Sequence, residues 1–188
     1  IDILTSFRFG EADIAYLAEQ KIFDKGFLDY LKDFSFGGDV YMMDEGSVIF
    51  PQEPLIRIHA NLIEAQIVEG LILNYVNFQS LIATKTARVW LASNKGSLME
   101  FGLRRAQGPD GAMSASRAAF IGGAAGTSNT LAGKRYGIPV MGTMAHSWIM
   151  SFSSELEAFR AYAKIYPEHS VFLIDTYDTL KSGIKNGL

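Results

Sequence analysis

Cysteine is absent from this 188-residue chain. That absence removes disulfides, thiolate nucleophiles and cysteine-based zinc sites. A reducing compartment is compatible with it, and the cytoplasm is the expected location. A strong charge of either sign is missing as well. Seventeen basic residues against 20 acidic ones leave a net charge of −3, which argues against a nucleic-acid or anionic-membrane partner. No apolar run reaches the roughly 20 residues of a spanning helix, and the first residues carry no signal-peptide pattern. Prolines number only five, and none lies between Ala60 and Leu91. Neither repeats nor low-complexity segments occur. What remains is an ordinary globular composition, 48% hydrophobic and 20% charged, with enough chain to bury a core. The chain opens on Ile1 and closes on "SGIKNGL", so a piece of something longer is expected.

The hydrophobic rhythm changes twice. "EADIAYLAEQ" and "FLDYLKDF" carry apolar residues at helical spacing, among them Ile14, Leu17, Phe27, Leu28 and Leu31. From Asp39 the period shortens. "DVYMM", a Glu45-Gly46 turn, "SVIF" and "PLIRIHA" predict a small antiparallel meander. Residues 60–91 then predict a long, largely buried helix, because apolar side chains cover most of its wheel. From Leu98 strands and helices alternate: "LMEFGL", "SASRAAFI", "TSNTLAGKRYG", "IPVMG", "SELEAFRAYAKIY", "VFLID" and "TLKSG". This alternation predicts parallel strands joined by crossover helices, hence an α/β fold. The expected division is an α+β domain over 1–97 and a parallel α/β domain over 98–188.

In such folds chemistry collects where strands end at their carboxyl edge. At the end of "EFGLRRAQGPDG", Arg104 and Arg105 offer planar forks suited to carboxylate or phosphate. Surface or salt-bridged arginines would give the same pattern. "GIPVMGTMAHSW" delivers His146 in the company of Thr143 and Ser147. A histidine starting a helix is the bland reading, and a nucleophile or proton carrier is the sharp one. Asp175 and Asp178 follow "VFLI", spaced to face one opening. Either could hold Mg²⁺ through water or meet sugar hydroxyls, while Asp178 could equally cap a helix. Thr127, Ser128 and Asn129 read as an anion cradle or a plain N-cap. Together these groups suit a small substrate bearing phosphates.

The run "FGLRRAQGPDGAMSASRAAFIGGAAGTSNTLAGKRYGIPVMGTMAHSW" closely resembles the central signature of the nicotinate phosphoribosyltransferases. "NFQSLIATKTARV" upstream and "LIDTYDTL" downstream resemble family segments too, and Ala125 departs from an aspartate common there. The resemblance implies that residues 98–188 form the first half of a TIM-like α/β barrel. It implies transfer of phosphoribosyl from phosphoribosyl pyrophosphate to nicotinate, in NAD salvage, coupled to ATP. On this resemblance His146 corresponds to a phosphorylated histidine, and Thr143 and Arg104 to residues of the nicotinate site. Arg105 corresponds to a supporting or phosphate-binding group, and Asp175 and Asp178 lie near ribose and Mg²⁺. The open edges of half a barrel are expected to be covered by further chain or a partner subunit, with a homodimer placing the site near its interface. A related quinolinate or nicotinamide transferase, or a non-catalytic pyridine-nucleotide-binding module, are the rival readings.

Overall fold

Helix-start chemistry explains most of the helical elements in this computed structural model, which describes residues 1–188. After α1 (Asp2–Ser6), α2 (Glu11–Glu19) opens where the Asp13 carboxylate accepts the Gly10 N–H at 2.8 Å. Helix α3 (Lys25–Lys32) opens where Asp24 accepts the Phe27 N–H at 2.8 Å. Both satisfy orphan donors of a first turn. Strands β1 (Asp39–Met42) and β2 (Ile56–His59) pair antiparallel in the register Asp39 with His59. Asn61 and Glu64 then cap α4 (Leu62–Ala92), a single 31-residue helix.

The expected meander is corrected here to a two-stranded hairpin. "SVIF" forms no strand; Val48 and Phe50 stand exposed in the connection, because an apolar tetrapeptide with no neighbouring edge has nowhere to place its backbone bonds. The long helix forms as expected, but it is not largely buried. Within it Val68 alone is buried, while Leu62, Leu73, Leu81 and Leu91 are exposed.

Contacts divide the chain into two compact units, Ile1–Leu81 and Ile82–Leu188. The division falls inside α4, whereas the sequence reading set a boundary after residue 97. In the first unit the core is Leu4, Phe34 and Val68, ringed by Phe7, Phe9, Tyr30 and Ile72. Phe7, Phe9 and Phe34 meet edge to face at 5.3–5.9 Å, the favoured aromatic geometry.

The second unit is α/β. Strand β3 (Met99–Glu100) pairs parallel with β4 (Gly126–Thr127), across α5 (Gly108–Ile121), and Thr127 bridges in parallel to Val140. Helices α6 (Thr130–Tyr136), α7 (His146–Met150) and α8 (Glu155–Ile165) follow, and a π turn over Thr179–Gly183 runs into α9 (Ile184–Gly187). "VFLID", expected as a strand, is corrected to an unpaired segment ending in a turn. Its side chains explain the difference. Phe172, Leu173 and Ile174 pack on the core of Met144, Ile149, Ala158 and Phe159, with Phe172 stacked on Phe159 at 4.8 Å, while no strand edge lies alongside their backbone. Gly126–Thr127 is the converse case, a strand where only a helix mouth was expected.

Candidate active site

Three segments leave the parallel sheet at one edge. Strand β3 runs into a 3₁₀ turn over Leu103–Arg105, β4 into α6, and Val140 into the loop that begins α7 at His146. This is the edge at which open parallel sheets place their ligands.

Arg104 and Arg105 sit on that turn, which closes through the Arg105 N–H to the Gly102 carbonyl at 2.8 Å. They leave on a tight helical turn, not on the alternating faces of a strand, because β3 ends at Glu100. Both are exposed. Neither guanidinium forms a hydrogen bond or ion pair, so the salt-bridge reading of the pair falls away. Two unneutralised forks on one turn attract anions.

Glu100, to which the sequence reading gave no role, anchors this edge. One carboxylate oxygen accepts the Ser116 hydroxyl at 2.9 Å and the Thr127 hydroxyl at 2.6 Å; the other accepts the Gly102 N–H. The available signal was an acid inside the apolar run "LMEFGL", since a half-buried carboxylate needs donors around it.

Thr127 and Asn129 are buried, 1% and 4% exposed. Thr127 Oγ1 accepts the Asn129 N–H at 3.0 Å, and Asn129 Oδ1 caps α6 through the Ala132 N–H at 3.2 Å. Their side chains therefore hold the backbone at the start of α6, as an N-cap does. Ser128 is half-buried and donates its N–H to the Glu100 carbonyl at 2.9 Å.

His146 is the first residue of α7, with Ala145 as its N-cap. Its Nε2 lies 3.1 Å from Asp175 Oδ1, the side chains being 41% and 60% exposed. A contact this open contributes about 0–1 kcal/mol; its consequence is orientation. A carboxylate only accepts, so Nε2 faces it as a donor, and in the neutral imidazole Nδ1 is the nitrogen left with the lone pair. Thr143 donates its hydroxyl to the Met144 carbonyl at 2.9 Å, and Ser147 is exposed on the first turn of α7. Nearby in sequence, Trp148 Nε1 and Thr176 Oγ1 are buried without a partner, which marks places for a water or ligand atom.

Asp178 differs from Asp175 in its partners. Its Oδ1 accepts the Leu180 and Lys181 N–H groups at 3.1 and 2.8 Å, and its Oδ2 lies 3.7 Å from Lys181 Nζ. No three metal-ligating side chains come together anywhere in the chain. These residues alone do not make a Mg²⁺ cage.

The fold and this edge define an α/β protein whose polar site combines unpaired arginines with an acid-held histidine. Profiles of two protein families carry that class further. The nicotinate phosphoribosyltransferase (NAPRTase) N-terminal domain matches residues 1–77, and the nicotinate phosphoribosyltransferase (NAPRTase) family matches residues 96–182. The chain belongs to the nicotinate phosphoribosyltransferase family. A nicotinate phosphoribosyltransferase of Mycobacterium tuberculosis is 47% identical over 181 residues, covering 96% of this chain and 39% of that protein. The crystal structure of human nicotinic acid phosphoribosyltransferase superimposes with a TM-score of 0.86 at 32% identity, over 98% of this chain and 47% of that one. A nicotinate-nucleotide pyrophosphorylase structure from Pyrococcus furiosus superimposes with a TM-score of 0.71 at 30% identity, over 76% of this chain and 37% of its own. The chain thus spans less than half the length of each of these relatives. No helix is long and apolar enough to cross a membrane.

Proposed function

We propose that the full-length protein transfers phosphoribosyl from phosphoribosyl pyrophosphate to nicotinate, releasing nicotinate mononucleotide and pyrophosphate, as a step of NAD salvage. The pyridine nitrogen attacks C1 of the ribose as the C1–O bond to pyrophosphate breaks, and the bonding pair leaves with the pyrophosphate. The nitrogen holds no proton to be removed, so the step needs no strong base. It needs cations for the leaving group and an anchor for the nicotinate carboxylate. Arg104 is the proposed carboxylate anchor, with Thr143 and Ser147 beside the pyridine, and Arg105 meets phosphate. Asp175 is proposed to face the ribose.

The observation that carries the ATP-coupled form of this reading is the His146–Asp175 contact at 3.1 Å. Asp175 fixes the proton on Nε2 and leaves Nδ1 nucleophilic. In the proposed coupling step Nδ1 attacks the γ-phosphorus of ATP. The P–Nδ1 bond forms, the bond to the bridging oxygen breaks, and ADP departs. Mg²⁺ is proposed to arrive on the substrate phosphates, as that ion does where a protein supplies one or two carboxylates. The parallel strands are proposed to be part of a TIM-like barrel in the whole protein, which is proposed to be a cytoplasmic homodimer with the site near its interface.

The test uses full-length protein and γ-labelled ATP. His146→Asn should abolish acid-labile label and the stimulation of transfer by ATP, while basal transfer persists. Label retained by the variant, or basal transfer lost with label intact, overturns the assignment. The Pyrococcus pyrophosphorylase likeness favours a second reading, a related pyridine phosphoribosyltransferase. Product formation from quinolinate or nicotinamide in preference to nicotinate would establish it.

A further inference from the structure

We infer that Glu100 is a positioning residue, which sets the anion-binding turn of Arg104 and Arg105 through the backbone of Gly102. The inference rests on the reading of Arg104 as the carboxylate anchor.

The geometry is specific. Glu100 is the last residue of β3, and its own carbonyl stays in the sheet by accepting the Ser128 N–H at 2.9 Å. Its side chain reaches forward to the turn that follows. Oε2 is held by the Thr127 hydroxyl at 2.6 Å and the Ser116 hydroxyl at 2.9 Å, so the carboxylate is pinned by β4 and α5 at once. Ser116 and Thr127 are each 1% exposed. From this fixed support Oε1 accepts the N–H of Gly102. Gly102 is the residue whose carbonyl closes the 3₁₀ turn, by accepting the Arg105 N–H at 2.8 Å. A chain of contacts thus runs from two buried hydroxyls, through one carboxylate, to the backbone that aims both arginines.

A second observation points the same way. A Cβ at residue 102 would stand 2.8 Å from Glu100 Oε1. Gly102 has φ −81°, a conformation open to any residue, so a side chain there is opposed by the approach of the carboxylate, which it would push aside, and not by its own dihedral. The carboxylate also suits the position chemically. It accepts from three donors, and a backbone N–H, unlike a hydroxyl, cannot reverse its polarity. Glutamine fits the same space and keeps one acceptor for Gly102, while the two hydroxyls can rotate to accept from its NH₂. Alanine leaves nothing for the turn to hold.

The experiment uses the full-length protein and four variants: Glu100→Ala, Glu100→Gln, Gly102→Ala and Arg104→Lys. Gly102→Ala displaces the carboxylate without opening a hole, so it serves if Glu100→Ala does not fold. Glu100→Ala and Gly102→Ala should each raise KM for nicotinate by about ten-fold or more, the loss expected for one charge-assisted contact. KM for phosphoribosyl pyrophosphate should rise by a smaller factor, through the phosphate contact of Arg105 on the same turn, kcat should move by less than about three-fold, and Glu100→Gln should recover most of both losses. A purely structural residue would instead lower kcat and the folded fraction and leave both KM values alone.

Hydrogen exchange separates this inference from the reading beneath it. Amide exchange at residues 102–106 should quicken in Glu100→Ala and Gly102→Ala, and not in Arg104→Lys. If exchange there is unchanged, the positioning role is wrong whatever the kinetics show. If exchange quickens but Arg104→Lys raises both KM values equally, Glu100 still sets the turn and the carboxylate-anchor reading fails.

Discussion

At the scale of single residues, most polar groups the sequence brought forward divide into those turned to solvent and those turned to the protein. Arg104, Arg105 and Ser147 are exposed. Thr127, Asn129 and Asp178 serve the backbone around them. His146 is intermediate, with one nitrogen held by Asp175 and the other open. Asp175→Asn should therefore lower phosphorylation of His146 from ATP by about ten-fold, as loss of an orienting partner does elsewhere. Its melting temperature should hardly move, since the pair is exposed. A variant that unfolds, or labels at the parental rate, contradicts the orienting role. Gly183 is a different kind of dependence. It is buried, and an added Cβ would collide with the Ile174 carbonyl, immediately before Asp175. Gly183→Ala should cost about 1–3 kcal/mol through overpacking, read by denaturant unfolding, and should reduce labelling of His146 as the Ile174–Asp175 turn shifts.

Elements were legible in proportion to how local their determinants are. Helices α2, α3, α5 and α8 carry periodic apolar residues within the segment itself, and caps such as Asp24 and Ser154 lie at their starts. Strands depend on partners far along the chain. That is why "SVIF" and "VFLID" looked like strands and are not, and why two-residue β3 and β4 pair with so little periodic signal. The site was legible as a set of residue types at strand ends. The division of labour was legible only as alternatives: capping by Asp178 stood beside a substrate role, and the network around Glu100 was not legible at all, because it depends on backbone directions that spacing does not encode. Capping has a checkable cost. Asn129→Ala removes a buried cap and should destabilise by about 0.5–2 kcal/mol, whereas an exposed pair should matter little. In α3, Asp29 sits 2.6 Å from Lys32, and that hydrogen bond, then the charge of Lys32, lowers its pKa below the usual 3.8. A lowered folded value means the contribution is present above pH 3.8 and lost as pH falls through the lower folded value. Asp29→Asn should thus differ from the parent only above that window, and the difference should shrink in high salt.

For the whole molecule, the amount of apolar surface left in water is the informative quantity. Along α4, Leu62 is 76% exposed, Leu81 62% and Leu91 58%. In the β1–β2 connection Val48 is 81% exposed and Phe50 66%. Single exposed leucines are ordinary, but runs on one helix and one loop exceed what a soluble monomer keeps uncovered. The parallel sheet likewise ends at Val140 and Met99 with unpaired edges, and open edges invite pairing. Relatives in the same family are more than twice as long, this chain covering 39% of one and 47% of another. These facts lead to one prediction about the chain as a unit. Residues 1–188 produced alone should bind a hydrophobic dye strongly and self-associate at micromolar concentration, because exposed apolar area and strand edges find each other. The full-length protein should bind the dye weakly and run at a defined size. Light scattering and dye fluorescence on the two proteins, at equal molar concentration, give the comparison. A short chain that stays monomeric and dye-free would mean that the α4 face and the sheet edges are stable in water, and that the proposed barrel completion covers something else.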